Sequence, residues 1–471
     1  MPGGASRRAI QLVRCKMAHV KDMTQGKPWK LILIFALPLM AGNVFQQLYT
    51  LVDTAVVGQF VGVEALASLG AADWLNWLVL GIPTGFAQGF SILMSQNFGA
   101  GEPEELRKSV AASIILSAII AVVTLVISQV FMLPTLRLLN TPENVLPGSL
   151  LYLRIYFSGI PVSMAYNLLS SMLRALGDSR TPLRAMIIAS ITNVVLDLLF
   201  TVAFGWGIAG VAIATVIAQI VAMLYCLRAS MRINEIKLKA EHFRAGGALM
   251  GRLLKLGVPV AMQNTIISVG GLCVQYVVNG FGFRFIAGFT ATNKLYGLLE
   301  MAAVSFGYAI STYTGQNLGA RNYERIKQGV RSSFFMALVT SVAIGAAMIL
   351  CGKNVLMLFI SGEPNEVVEV LKIAYRYLVV MAGCLPILYL LYVYRSAQQG
   401  MGDTVMPMIS GAVELIMRVG AAMLLPGIMG QDGIYLAEVA AWAGAAVLLI
   451  VTYYKKERAF PTLPKQEEVR T

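Results

Sequence analysis

Two aspartates lie inside apolar segments of this chain, where a charged side chain is costly. Asp53 is about eight residues from the end of the apolar stretch 31–61, and Asp197 is about as far from the end of the stretch 182–204. Charged residues within a hydrocarbon layer usually face an interior or a cavity and mark a pathway for ions or substrate. The pattern therefore predicts a site for a cation or a proton at this depth.

Two neutral polar residues are predicted to share the depth of these aspartates. Asn193 precedes Asp197 by four residues and so lies on the same helical face, while Thr215 is about eight residues into the segment 208–230. Carboxylate, amide and hydroxyl oxygens are ligands that hard cations prefer, and two nearby carboxylates can equally hold a proton. Taken alone, Asn193 and Thr215 are more often structural, because such side chains bond to helix backbone. The aspartates favour a mobile cation, because no Lys or Arg in the first six apolar segments stands at their depth.

Composition indicates that these segments span a membrane. The chain has 471 residues, of which 57% are hydrophobic and 13% are charged, whereas a soluble domain carries about 25% charged residues. At roughly 20 residues per spanning helix, the apolar runs predict an all-α membrane protein with twelve spans. The predicted spans cover approximately residues 31–61, 64–97, 108–133, 148–173, 182–204, 208–230, 252–280, 285–313, 327–351, 370–394, 405–425 and 433–454.

The distribution of basic residues predicts the orientation of the chain. Most of the 37 Lys and Arg residues fall in the tails and in the loops on one side of the predicted spans. The positive-inside rule therefore places both termini in the cytoplasm. Because the basic residues behind the net charge of +13 are spread over many short loops rather than gathered on one soluble domain, no nucleic-acid partner is expected.

The chain contains an internal repeat. The stretch SQNFGAGEPEELRKSV, residues 95–110, returns as GQNLGARNYERIKQGV, residues 315–330, and LGDSRTP from Leu176 returns as MGDTVMP from Met401. Two six-helix halves that enter the membrane in the same direction are related by a pseudo-twofold axis along the membrane normal. This plan suits transport by alternating access, although duplication also builds channels and scaffolds.

The repeat divides the chain into lobes and connecting segments. The predicted segments are a cytoplasmic N-terminal tail (1–30), a first lobe (31–230), a cytoplasmic linker (231–251), a second lobe (252–454) and a cytoplasmic C-terminal tail (455–471).

The two lobes differ in their polar residues. Val274 stands at the repeat position of Asp53, so the second lobe lacks this carboxylate. It has charges of its own: Glu414 and Arg418 are four residues apart in the eleventh span, and Glu438 falls near the depth of Arg418 in the twelfth. Residues four apart meet on one helical face. We therefore predict that these three residues form a structural ion pair.

Three further polar residues are candidate substrate contacts. Glu300 lies near the middle of the eighth span, and Lys294 is six residues earlier, too far round the helix for a simple pair. Gln46 and Gln263 lie in the first and seventh spans. We predict Glu300, Gln46 and Gln263 as possible contacts of a substrate.

Motifs of membrane enzymes and of ATP-driven pumps are absent from the sequence. It has no GxxxxGK[ST] phosphate loop, no HExxH zinc pair, no GxSxG nucleophile and no DDxxD pair. The two histidines, His19 and His242, lie in the predicted tail and linker, so histidine acid-base chemistry within the spans is excluded. We therefore expect a protein that is not an enzyme and needs no cofactor, with transport driven by an ion gradient.

These residues and motifs resemble the multidrug and toxic compound extrusion (MATE) family. The resemblance rests on LPLMAGNVFQQLYTLVDTAVVGQ in the first span, on SQNFGAG and GQNLGAR, and on RALGDSRTP followed by NVVLD, and it extends from about Trp29 to Tyr454. It implies cation-coupled antiport, in which Na⁺ or H⁺ enters as cationic, amphipathic drugs leave. Members with a cation site in the first lobe use a first-span aspartate, an NxxxD pair and a sixth-span threonine. These correspond here to Asp53, Asn193, Asp197 and Thr215.

The sequence departs from other members of this family in the seventh span. They carry a carboxylate there, whereas this chain has Gln263, Asn264 and Gln275. We expect a monomer in the plasma membrane, in contact with lipid and with small cationic or amphipathic substrates. The alternatives are a flippase for a lipid or a lipid-linked sugar, which a basic central cleft would favour, and a membrane enzyme.

Overall fold

Twelve long helical segments, the fourth of them interrupted at Gly159, form the fold in the computed structural model, which describes residues 20–139, 141–244, 246–357, 360 and 364–461. The remainder of the two predicted tails, including His19, lies outside the described residues. In chain order the helices are α1 (Pro28–Val56, continued by a π-helical turn, Val57–Val61), α2 (Val63–Ala100), α3 (Pro103–Leu138), α4 (Leu146–Ser158 and Ile160–Ala175), α5 (Arg180–Asp197, continued by a π-helical turn, Leu198–Ala203), α6 (Gly207–Ser230), α7 (Gly247–Asn279), α8 (Phe283–Gly319), α9 (Tyr323–Leu356), α10 (Pro364–Gly400), α11 (Val405–Leu424) and α12 (Asp432–Arg458).

Hydropathy and helix-breaking residues explain these elements. Ten of the helices in the described ranges are long and apolar enough to cross a membrane, and α4 and α8 complete the twelve. α2 ends at Gly101, whose φ of 73° is left-handed, and Pro103 begins α3. Such a glycine ends a helix without steric cost, and proline suits a first helical position because its missing N–H would be unpaired there. The all-α, twelve-span prediction is confirmed.

The two halves of the chain pack in the same way. In the first lobe α1 contacts α5, α5 contacts α6, α6 contacts α4, and α4 contacts both α2 and α3. In the second lobe α7 contacts α11, α11 contacts α12, α12 contacts α10, and α10 contacts both α8 and α9. The arrangement repeats when six is added to each helix number, as the predicted pseudo-twofold axis requires. Because the number of spans is even, α1 begins and α12 ends on one side of the molecule. We call it the terminal side and the opposite side the far side.

Glycines allow helices of the two lobes to approach closely. A Cβ at Gly85 would stand 2.5 Å from the Cα of Ala261, and one at Gly89 would stand 2.5 Å from the Cα of Gly257. α2 and α7 therefore touch backbone to backbone. Without a hydrophobic driving force between helices in lipid, such close packing supplies much of the attraction between them.

The repeated motifs hold the lobes together on the terminal side. The side-chain amide of Gln96 on α2 donates to the carbonyl of Gly400 (3.1 Å), and the side-chain amide of Gln316 on α8 donates to the carbonyl of Ala175 (2.8 Å). Gly400 and Ala175 directly precede the second pair of repeated segments. The two hydrogen bonds are therefore counterparts under the pseudo-twofold axis, and each crosses from one lobe to the other.

The segment 20–27, which we call the strap, joins α1 to the second lobe on the terminal side. Met23 is fully buried. Its N–H donates to Oε1 of Gln316 (2.9 Å), and its carbonyl accepts from Nδ2 of Asn317 (3.2 Å) and Nη2 of Arg325 (3.3 Å). The strap also touches the first lobe, because a Cβ at Gly177 would stand 2.1 Å from the carbonyl oxygen of Lys21.

The segment that precedes α7 makes the corresponding contact with the first lobe. Nη2 of Arg107 at the start of α3 donates to the carbonyl of Asn234 (3.1 Å), and Nε2 of the buried His242 lies 3.1 Å from Oε2 of Glu104. Each lobe is therefore held on the terminal side by the segment that leads into the first helix of the other lobe.

We expect Gly89→Ala to destabilise the protein by about 1–3 kcal/mol, because overpacking at a closed backbone contact forces helices apart. The measurement is the midpoint of thermal unfolding in detergent. Gly70→Ala is the matched control on the same helix, since a Cβ there meets no atom within 4 Å and alanine raises helix propensity. Equal midpoints for the two variants would contradict close packing of α2 on α7.

Candidate functional site

Asp53 and Asp197 face each other inside the first lobe. Asp53 lies on α1 and Asp197 ends the regular part of α5, and these helices pack together. Asp197 is fully buried and Asp53 is 9% exposed. The two carboxyl groups are near enough to influence each other, although no hydrogen bond joins them, and no Lys or Arg of the described chain is near enough to act on either. The structure thus places two carboxyl groups together without a basic side chain between them.

Asn193 and Thr215 complete a buried polar cluster around this pair. Nδ2 of Asn193 donates to Oγ1 of Thr215 (3.5 Å), whose hydroxyl donates to the carbonyl of Val211 (2.9 Å). Oδ1 of Asn193 then has no hydrogen-bond partner among the described residues, and neither have Oδ1 of Asp53 or both carboxyl oxygens of Asp197. Buried polar atoms are normally paired, so this concentration of unpaired oxygens is typical of a binding site.

Each aspartate lies within one helical turn of a distorted segment of its helix. The π-helical turn Val57–Val61 begins one helical turn after Asp53, and the π-helical turn Leu198–Ala203 begins directly after Asp197. Such turns are rare and frequently occur at functional sites. The sequence did not predict them, nor Thr201 within the second turn, whose buried hydroxyl also lacks a partner in the described chain.

Aromatic and amide side chains extend the cluster toward the terminal side. Gln219 lies one turn beyond Thr215 on α6, and its amide donates to the hydroxyl of Tyr156 (3.3 Å). The charge of Asp53 acts on the hydroxyls of Tyr49 and Tyr156. The spacing of four residues between Thr215 and Gln219 could have predicted that both lie on one face of α6. Nothing in the sequence related Tyr156 to these two residues.

The second lobe contains a buried network of charges. Arg418 lies 2.9 Å from Glu438 (Nη2 to Oε2) and 3.9 Å from Glu414 (Nη2 to Oε2), and Glu414 also pairs with Arg395. The three residues predicted as an ion pair therefore lie together, with Arg395 as a fourth member. Arg395 was expected in a terminal-side loop, because the predicted span stopped at 394; α10 continues to Gly400 and buries it.

The candidate substrate contacts lie in three different environments. Glu300 on α8 is half-buried, and its Oε1 accepts a hydrogen bond from the hydroxyl of Tyr392 (2.5 Å). Gln46 is exposed on α1. Gln263 is buried, and its Oε1 accepts from the amide of Gln399 (3.0 Å). The structure does not bring these three residues together.

Gln263 belongs to a chain of amides that crosses between the lobes. Gln399 donates to Gln263, and the side-chain oxygen of Gln399 accepts from the amide of Gln88 on α2 (3.1 Å). The sequence placed Gln263 in the seventh span but held no information about either partner. Its position at this interface is a tertiary feature.

Comparison with known proteins identifies the class to which this fold and site belong. The MatE family model matches residues 38–199 and 259–424, which correspond to α1–α5 of the first lobe and α7–α11 of the second. The chain therefore belongs to the MatE family, as its resemblance to the MATE transporters indicated. Members of this family are membrane transporters and not enzymes, so this chain is a multi-pass membrane transporter.

Individual relatives are similar over most of their length. The chain is 31% identical to "Probable multidrug resistance protein YoeA" of Bacillus subtilis (strain 168) over 366 residues, or 76% of this chain and 78% of that protein. It is 29% identical to "Probable multidrug resistance protein YpnP" of the same organism, covering 88% and 92% of the two chains. A crystal structure of a MATE protein in complex with MaL6 superposes with a TM-score of 0.88 at 22% identity, over 94% of this chain and 99% of the other. This last likeness concerns the fold.

We expect Glu414→Gln to destabilise the protein by about 3–5 kcal/mol, because it leaves the buried guanidinium group of Arg395 without its carboxylate partner. Glu369→Gln is the matched control: Glu369 pairs with Arg284 on an exposed surface of the same lobe, and exposed pairs contribute about 0–1 kcal/mol. Thermal unfolding in detergent measures both. A Glu414→Gln protein as stable as the control would show that the network does not stabilise the fold.

Proposed function

We propose that this protein is a secondary active efflux transporter that exchanges Na⁺ or H⁺ for cationic, amphipathic small molecules by alternating access. The observation that carries the proposal is the buried pair Asp53 and Asp197, on which no basic side chain of the described chain acts. The names of the relatives, both probable multidrug resistance proteins, support a drug cargo.

The chemistry of the pair favours a coupling ion. Two adjacent carboxylates in a medium of low dielectric constant repel each other, and removing both from water is costly without a positive charge. Na⁺ would take oxygens of Asp53, Asp197 and Asn193 as ligands, with the hydroxyl of Thr215 beside them. A proton would instead be shared by the two carboxyl groups. Beyond this ion the transporter would need no cofactor.

Coupling requires that cation and cargo favour different arrangements of the lobes. α1 contacts α5 at the cation site and also contacts α8 and α9 of the second lobe. A change in how Asp53 meets Asp197 therefore acts on a helix that lies between the lobes. This geometry supports competition between cation and cargo through the position of α1.

The orientation follows from the charge distribution. Basic residues predominate on the terminal side, so we place that side and both termini in the cytoplasm, with the protein in the plasma membrane as a lipid-embedded monomer. Every hydrogen bond between the lobes in the described chain lies between the middle of the membrane and the terminal side. The described conformation would then be the one that faces outward.

Efflux of a fluorescent cation from proteoliposomes tests the proposal, with Na⁺ and pH gradients imposed separately. We expect one gradient to drive efflux by the wild type, and Asp53→Asn to reduce it about tenfold, since coupling free energies of about 1–3 kcal/mol correspond to roughly 5- to 150-fold effects. The amide keeps the shape of the carboxyl group but loses its charge.

Asp432→Asn is the matched control, because Asp432 pairs with Arg376 at the exposed far end of α12; we expect wild-type efflux. If Asp53→Asn transports as well as the wild type under both gradients, the proposal that coupling occurs at Asp53 and Asp197 is wrong. If neither gradient drives efflux of a cationic dye, the proposal of drug antiport is wrong. Flipping of a labelled lipid-linked sugar in the same vesicles is then the next measurement.

A further inference from the structure

Two oppositely charged residues outside the cation site lie on facing surfaces of the two lobes. Asp73 is on α2 of the first lobe and Lys294 is on α8 of the second, and both side chains are exposed. They lie ten and eleven residues from the far ends of their helices, which places both about 15 Å inward at 1.5 Å per residue. Neither residue is among the site residues predicted from the sequence.

The face of α2 that carries Asp73 is directed at the second lobe. Ser95 lies 22 residues, close to six helical turns, beyond Asp73 and so shares its face. A Cβ at Gly315 of α8 would stand 2.0 Å from the hydroxyl of Ser95. Trp77, one turn from Asp73 on this face, is 72% exposed. The surface that is packed against α8 on the terminal side is therefore open near Asp73.

The face of α8 that carries Lys294 is directed at the first lobe. Ser305 lies 11 residues, about three helical turns, beyond Lys294, and its hydroxyl accepts a hydrogen bond from Nδ2 of Asn43 on α1 (3.1 Å). Gln316 lies 22 residues beyond Lys294 and bonds to the carbonyl of Ala175 of the first lobe (2.8 Å). The face of α8 that carries Lys294 is thus in contact with the first lobe on the terminal side, and Lys294 lies on the same face nearer the far side.

Asp73 and Lys294 face each other across the open space between the lobes on the far side, which we call the cleft. Lys294 is near enough to Asp73 for an electrostatic interaction between the two side chains, yet they do not form one of the ion pairs of the described chain. The repeat position of Asp73 in the second lobe is Asn293. A second aspartate, which would repel the first, is therefore absent from that position. Opposite charges favour approach of the lobes, whereas equal charges would oppose it.

We propose that Asp73 and Lys294 form an ion pair between the lobes when the far side of the cleft closes, and that this pair is the far-side gate of the transporter. The proposal rests on the alternating access proposed above. Until closure, Asp73 presents a carboxylate to cationic cargo in the cleft. Lys294 then takes the place of the cargo cation at Asp73, so closure of the gate and rebinding of cargo exclude each other.

Exchange of the two charges tests this pairing. We expect Asp73→Lys and Lys294→Asp, each made alone, to reduce efflux about tenfold, because like charges then meet as the far side closes. The double variant restores opposite charges and is expected to return to within about threefold of the wild type. A residue that only supports the local fold would not be rescued by a change in the other lobe.

The matched control exchanges an exposed ion pair within one lobe. Arg284 and Glu369 lie at the far ends of α8 and α10, and Arg284→Glu with Glu369→Arg moves the same charges without involving the first lobe. We expect efflux within about twofold of the wild type for both single variants and for the double variant. This comparison separates the effect of the gate from the general effect of changing charge on the far side.

Cross-linking measures the approach of the two residues without reference to transport. In a chain whose five cysteines are replaced by alanine, Asp73→Cys and Lys294→Cys are treated in lipid vesicles with a short, reducible bifunctional thiol reagent. We expect a cross-link that blocks efflux until a reductant is added. In either single cysteine variant no cross-link can form, so we expect no loss of efflux that the reductant restores.

The results separate the gate from the proposed function. The gate is wrong if the double charge exchange transports no better than the single variants, or if no cross-link forms in vesicles whose wild type transports. If the wild type transports no cation under either gradient, the antiporter is wrong, and the yield of cross-link still decides whether Asp73 and Lys294 meet.

Discussion

A hydrocarbon layer offers no water to backbone groups, so every N–H and C=O within it must bond inside the protein. This constraint produces the all-helical architecture. It also means that each charge within the membrane needs a partner of opposite charge. In the second lobe the charges are balanced by one another, with Arg395 and Arg418 among Glu414 and Glu438. In the first lobe, no basic side chain of the described residues acts on Asp53 or Asp197. The two lobes thus share a fold, but the buried charges of the second are paired with each other, whereas those of the first form the cation site that we propose.

Much of the fold was predictable because membrane thickness turns hydropathy into length. Twelve apolar runs gave twelve helices, and the repeat gave their arrangement in two lobes. The depth of Asp53, Asp197 and Thr215 could also be counted along each helix. The rotation of one helix against another could not, since it depends on packing rather than on spacing. The structure was therefore needed to show that these residues meet, and it added the hydrogen bond between Gln219 and Tyr156 beside them.

The errors arose where packing overrides local hydropathy. Arg395 ended a predicted span as a loop residue, but α10 continues past it because Glu414 supplies a partner inside the lobe. Contacts between the lobes were likewise invisible in the sequence. Gln96 and Gln316 belong to the repeated motifs, and the structure shows that each of them bonds to the opposite lobe. A repeat predicts that two halves are alike, but not which atoms of one half touch the other.

The strap has a mechanical consequence for α1. Its residue Met23 is bonded to Gln316 and Asn317 of the second lobe, whereas further along the same helix Asp53 meets Asp197 of the first lobe. The first helix is thus anchored in one lobe at its base and in the other near its far end. Any rotation of the lobes against each other must tilt or bend it, or break one of its two anchors. α1 therefore connects the proposed cation site mechanically to the strap at the opposite face of the membrane.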